Sequence, residues 1–277
     1  MNRITKTLLT SAAALALLST AVVPADAGPL TPNGARFAAV GDSYAAGLGN
    51  TPLKHAGLSY RSAAAYPVLL AGAANKVNFL AESGATITTV LANQVRRVLP
   101  ATQQITVTVG GNDVGFADVA MACAGTGVGC AAAVGRASEA LNILPQNLGS
   151  LITHLRTRAP QATIYVTGYP MLFQPTAGTC PGLPGYSPAT MALFDGATLQ
   201  LNGIIQATAT QLGAVYVDVV PEFEQHGLCD GADSFIFPPS FLAPGVPDPS
   251  SLHPTANGQA AYARVVEAST FHSADEG

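Results

Sequence analysis

Residues 37–50 read FAAVGDSYAAGLGN, an apolar run that stops at Gly41-Asp42-Ser43 and gives way to a segment spaced by glycines. A short apolar run without polar alternation is the pattern of a strand covered on both faces. The glycine and aspartate that follow it are turn formers. The stretch therefore predicts a buried strand whose carboxyl end carries a hydroxyl, Ser43, into the turn before a helix. Ser43 is then either turn chemistry or a nucleophile.

Working outward, residues 36–40, 77–80, 105–109, 163–167 and 215–219 are short runs rich in β-branched or aromatic residues. Residues 61–73, 132–158 and 188–212 lie between them and have helical character, and Pro145 divides the second or opens a new helix. Alternation of strand and helix predicts an α/β fold with a parallel sheet and helices on both sides. No repeat, low-complexity linker or composition shift marks a second domain.

The ends of the chain and its composition restrict the setting. Residues 1–27 begin with Arg3 and Lys6, continue as an apolar stretch and end in Ala25-Asp26-Ala27, the pattern of a signal peptide cleaved near Ala27. An uncleaved N-terminal anchor is the alternative, although the apolar stretch is short for a span. Residues 28–277 then form one domain, secreted or held in the cell envelope. Charged residues are only 10% of the chain and its net charge is −4, with no basic run to follow phosphates, so nucleic acid is not an expected partner. The four cysteines form no CxxC pair, which argues against zinc and thioredoxin-like redox chemistry. In an oxidising compartment Cys123–Cys130 with Cys180–Cys229 is the most economical of the three pairings, free buried thiols being the alternative.

In open parallel sheets ligands bind beyond the carboxyl ends of the strands. The residues found there are Gly41-Asp42-Ser43-Tyr44, Glu82-Ser83-Gly84-Ala85 and Gly110-Gly111-Asn112-Asp113. His253 precedes the last expected helix, 255–268. Together these are the parts of acyl transfer. A serine hydroxyl needs a base such as His253 to take its proton. The tetrahedral intermediate needs preorganised donors, which the N–H groups of Ser43 and Gly84 and the side-chain amide of Asn112 could supply. Glycine at 84 would let the backbone approach substrate without a Cβ in the way. Asp42 and Asp113 as a glycosidase pair, and Gly47-Leu48-Gly49 as a phosphate loop, are weaker readings: the first pair suits loop bracing, and the second lacks the rest of either nucleotide motif. Arg61 either braces loops or meets an anionic substrate.

GDSY at 41–44, SGAT at 83–86, GGND at 110–113 and HPTANG at 253–258 together resemble the ordered blocks of the SGNH, or GDSL-type, esterase and lipase family. Tyr60-Arg61-Ser62, Tyr66-Pro67 and Gly115-Phe116 bring the resemblance nearest to its secreted actinobacterial members. The resemblance implies a three-layer α/β/α fold around a five-stranded parallel sheet of flavodoxin-like order. It implies Ser43 as nucleophile, His253 as base, an oxyanion hole of Ser43, Gly84 and Asn112, and no metal or organic cofactor. Many members carry an aspartate three residues before the histidine, where this chain has Ser250. The expected orienting group is therefore the Ser250 carbonyl, with Asp248 as the alternative. Relatives often hold a disulfide where this chain has Ser59 and Glu82, so the loop bearing Gly84 is expected to be looser.

The reading is a secreted, monomeric serine hydrolase of carboxylic esters. Leu172-Phe173 and Phe235-Ile236-Phe237 are expected to line its crevice and to favour lipid or short-to-medium acyl esters. A non-catalytic binding or envelope module on the same fold, and an acetyl-sugar esterase, are the alternatives.

Overall fold

The computed structural model describes residues 36–275, except 52, 56–59, 73–75, 124–128, 175–179, 181–185 and 244–245. The expected signal segment and Ser59 lie outside the described residues. Five strands form the central sheet: β1 (Phe37–Gly41), β2 (Val77–Phe79), β3 (Gln104–Thr108), β4 (Thr163–Thr167) and β5 (Val215–Val217). They pair in parallel in the order β2-β1-β3-β4-β5. This is the flavodoxin-like order, and its topological switch lies between β1 and β3. Ser43 leaves β1 at that point.

The helices are α1 (Ser43–Ala46), α2 (Tyr66–Ala71), α3 (Ile87–Thr89), α4 (Phe116–Cys123), α5 (Cys130–Arg158), α6 (Pro188–Gln211) and α7 (Ala256–Asp275). α2 and α7 pack on each other over one face of the sheet, while α5 packs against α3, α4 and α6 over the other. β1 shows why both layers are needed. Ala38 and Val40 join the large core, whereas Ala39 points the other way onto Ala65 and Val68. Ile105, Val107, Leu148, Leu151 and Ile152 are fully buried, each such side chain contributing roughly 1.5–3 kcal/mol.

Two helical expectations are corrected. The segment 61–73 is helical only over Tyr66–Ala71, while Arg61–Ser62 pairs antiparallel with Leu53–His55. Pro67 explains the late start, because proline is accommodated in the first turn and not in a helix interior. Pro145 lies within one continuous helix, Cys130–Arg158. It sits on the exposed side of α5, away from the core. The disulfides are Cys123–Cys130 and Cys180–Cys229, as expected. Among the described residues no helix is long and apolar enough to cross a membrane.

Candidate active site

The turn after β1 is built by its side chains. Gly41 has φ 142°, and a Cβ there would collide with the carbonyl oxygen of Thr108 on the neighbouring strand. Its N–H donates to Gln94 Oε1 (2.8 Å) and its carbonyl accepts from Gln94 Nε2 (2.9 Å), so a buried amide ties down both sides of the residue. Asp42 caps α1 by accepting from the Tyr44 N–H at 2.9 Å. Ser43 is the first residue of α1, so its N–H has no acceptor inside the helix. With only four residues, α1 contributes local N–H groups here and little macrodipole.

His253 meets Ser43 from the far end of the chain, with Nε2 2.7 Å from Ser43 Oγ. Its Nδ1 lies 2.9 Å from the carbonyl oxygen of Ser251. A carbonyl only accepts, so Nδ1 carries the proton and the Nε2 lone pair faces the serine hydroxyl. This corrects the expected orienting group. The Ser250 carbonyl accepts the backbone N–H of His253 at 3.1 Å, closing a turn in which Leu252 has φ 65°. That turn rotates the next carbonyl, Ser251, under the ring. Asp248 does not bond the ring either, since its Oδ1 accepts from the Ser250 N–H (2.8 Å) and Oγ (2.7 Å). Burial, only partly offset by the Ser251 and Ser250 carbonyls, pushes the imidazole down to about 4. At neutral pH the His253 imidazole is therefore uncharged.

Gly84 and Asn112 line the same cavity as Ser43 and His253. Gly84 has φ 77°, and a Cβ there would meet no protein atom within 4 Å. Glycine is thus required by the left-handed backbone, not by crowding from the protein. Asn112 Nδ2 donates to the Ala85 carbonyl (2.9 Å), which fixes the amide orientation and leaves a second N–H to donate. Asp113 Oδ1 and Oδ2 lie 3.1 and 3.0 Å from the Ile87 N–H, bracing the two loops together. Arg61, only 6% exposed, donates to the Ala81 carbonyl (2.7 Å), the Leu80 carbonyl (3.2 Å) and Glu82 Oε1 (2.9 Å). It braces the Gly84 loop, and Glu82, where relatives are expected to carry a cysteine, is its ion-pair partner.

Several residues without a sequence motif complete the site. The Tyr169 hydroxyl donates to Asp42 Oδ2 and accepts from the Gly111 N–H (3.1 Å), linking the serine turn to the asparagine loop. Asn202 of α6 holds Tyr169 in turn, accepting from its N–H (2.8 Å) and donating to its carbonyl (2.7 Å). Burial pushes the Asp42 carboxyl up to about 7, although Tyr169 and Tyr44 donate to it. Tyr44 donates to the Leu252 carbonyl (2.6 Å), and Asn50 Nδ2 to the Pro254 carbonyl (2.9 Å), so both sides of His253 are held. The cavity holds about 240 Å³, with Leu48, Phe116, Pro170, Leu201 and Leu252 as apolar walls. Leu172 and Phe173, expected in the crevice, are 1% exposed core residues, and Phe235-Ile236-Phe237 do not line the cavity. Both segments read as crevice residues only because they are apolar. Among the described residues no cluster of His, Cys, Asp or Glu is arranged to hold a metal.

A model of the GDSL-like lipase/acylhydrolase family matches residues 39–261. The chain belongs to that family. It is 34% identical over 240 residues to a lipase of Streptomyces rimosus, covering 84% of this chain and 86% of that protein. It is 32% identical to Lipase 1 of Streptomyces coelicolor, covering 89% and 90%. The crystal structure of a phospholipase A1 from Streptomyces albidoflavus superposes with a TM-score of 0.76 at 34% identity, covering 84% of this chain and 98% of that one. Membership of the GDSL-like family, with relatives of this similarity, makes the chain a carboxylic ester hydrolase.

Proposed function

We propose that the chain is an exported lipase or esterase of the GDSL-like family that acts through an acyl enzyme on Ser43. The observation that carries this reading is the 2.7 Å contact between Ser43 Oγ and His253 Nε2 at an apolar cavity. His253 takes the hydroxyl proton as Ser43 attacks the ester carbonyl. The oxyanion is held by the N–H groups of Ser43 and Gly84 and by Asn112, each such donor contributing about 2.7–4 kcal/mol. The imidazolium then protonates the leaving alcohol, and water releases the acyl group by the reverse sequence. The Ser251 carbonyl orients the ring but brings no charge to the imidazolium. Lipid or short-to-medium acyl esters suit the apolar walls better than acetylated sugars do. Residues 1–27 act as the signal peptide and 28–277 as the working domain, which one chain completes without a partner. Two disulfides support an oxidising, extracellular location.

The test is hydrolysis of p-nitrophenyl butyrate by the purified protein and by Ser43→Ala. The substitution is expected to lower kcat by about 10⁴-fold or more. Equal activity in Ser43→Ala would overturn Ser43 as the nucleophile, whereas no turnover by the wild-type protein would favour a binding module on the same fold.

A further inference from the structure

Both ends of the segment that carries Gly84 are fastened to one residue of the serine turn. The register between β1 and β2 ends at Ala39 and Phe79, and the carbonyls that follow on the β2 side, Leu80 and Ala81, accept from Arg61. Gly41 therefore turns its N–H and carbonyl to that side beyond the last strand pair. Its carbonyl accepts the Glu82 N–H at 3.0 Å, which holds the near end of the segment. The buried Gln94 amide holds the far end, accepting from the Gly41 N–H and donating to the Gly41 carbonyl. A carboxamide offers the same acceptor and donor as a peptide group, so Gln94 continues the ladder where the strand has left it. Gln94 closes a π-helical turn, Val90–Gln94, in which the Val95 N–H reaches the Val90 carbonyl five residues back. Such turns are rare and recur at functional sites. Between the two anchors lie Gly84, the Ala85 carbonyl that orients Asn112, and the Ile87 N–H that meets Asp113.

We propose that Gln94 is a positioning residue for the hydrolysis: it fixes the Gly84 N–H relative to the Ser43 N–H and so sets the fit of the oxyanion hole. The proposal rests on the ester hydrolase reading and deepens it. Ser43 lies two residues after Gly41, and Gly84 two residues after Glu82. The placement of one N–H relative to the other is thus set at Gly41. Two donors serve one oxygen only when each lies about 2.7–3.1 Å from the place where charge develops. Held by Glu82 alone, the segment would pivot about its near end, and Arg61 grips that same end. Asn112 and Asp113 tie the middle of the segment to the asparagine loop and not to Gly41. Gln94 supplies the second point that stops the pivot. It does not line the cavity, so its effect is felt as the oxyanion forms and not as the ester binds.

The experiment measures hydrolysis of p-nitrophenyl butyrate, and its inhibition by butane-1-boronic acid, on the wild-type protein, Gln94→Met and Gln94→Asn. Ser43 Oγ adds to the trigonal boron as its proton passes to His253, leaving a tetrahedral anion with an oxygen in the oxyanion hole. Methionine fills the side-chain space without either hydrogen bond. Asparagine keeps the amide but is one methylene too short to bring it to Gly41, and it keeps the test decisive if Gln94→Met fails to fold. In each variant with a cooperative urea transition, kcat is expected to fall roughly 10–100-fold. The boronic acid should bind more weakly by a similar factor, with KM changed by about threefold or less. A folded variant with kcat within about threefold of wild type overturns the proposal, as does a rise in KM that matches the fall in kcat. Loss of the cooperative transition in both variants makes Gln94 a structural residue and also overturns it. Each of these outcomes leaves the hydrolase reading intact, whereas no butyrate turnover by the wild-type protein overturns that reading itself.

Discussion

The Nδ1 of His253 points at the main-chain carbonyl of Ser251, 2.9 Å away, while the carboxylate of Asp248 is occupied by Ser250, two residues on from it. Asp248→Asn is therefore expected to lower kcat by about tenfold or less, and Ser250→Ala to be nearly silent. A carboxylate that holds the ring directly is worth about 10⁴ in kcat. Steady-state kinetics on the two variants separates the cases, and a loss of a thousandfold in Asp248→Asn would assign Asp248 to the ring.

Tyr169→Phe removes one oxygen and strands two partners, Asp42 Oδ2 and the Gly111 N–H, both buried. Stability should fall by about 1–3 kcal/mol, the cost of unsatisfied buried groups. Because the bridge spaces the serine turn from the asparagine loop, kcat should fall by roughly 10–100-fold with KM little changed. Urea unfolding and kinetics on the same preparation test both, and a loss of stability with full kcat would make Tyr169 structural only.

The acid limb of kcat/KM should lie near pH 4, not at the ordinary histidine value of 6.5, because burial lowers His253 to about 4. Between these values the unfolded chain binds the His253 proton and the folded one does not, so this group's contribution to stability is lost as pH falls from about 6.5 to about 4. Asp42 acts in the opposite sense. Its carboxyl is raised to about 7, so its stabilising contribution is present below pH 3.8 and lost as pH rises toward 7. Removing the histidine term by His253→Gln should make stability decline more steeply than in wild type as pH rises from about 4 to about 6.5. Urea midpoints across that range measure the difference, and parallel profiles would refute it.

Arg61→Met removes a guanidinium that serves the Leu80 and Ala81 carbonyls and pairs with Glu82. The expected loss is about 2–3 kcal/mol, below that of a fully buried pair because the Glu82 side chain is 27% exposed. Glu82→Gln keeps the hydrogen-bond acceptor and should cost about 1 kcal/mol or less. Since Gly84 follows this brace, Arg61→Met should also lower kcat, which would be absent if the loop were held by other means. Calorimetry and ester kinetics on the two variants decide it.

The strands, their parallel sense and the positions of Ser43, Gly84, Asn112 and His253 were legible because each depends on local pattern. An apolar run flanked by glycine and aspartate can be read without knowing its neighbours. Gln94, Tyr169 and Asn202 could not be found in this way. They belong to no motif and act by bonding groups 33 to 127 residues away, most of them main-chain. The crevice walls were misplaced for the same reason, as tertiary packing and not apolar character decides that Leu172 is core while Leu201 lines the cavity.

By itself the sequence determined the five strands of the sheet, their alternation with helices and the four groups brought to one end of the sheet. It did so because strand period and turn residues are written within a few positions of one another. Only the tertiary structure decided which carbonyl orients His253, what holds Asp42, and how far the apolar surface extends beyond Ser43. Those outcomes depend on rotation within a turn and on the packing of helices distant in sequence. Neither leaves a periodic trace along the chain.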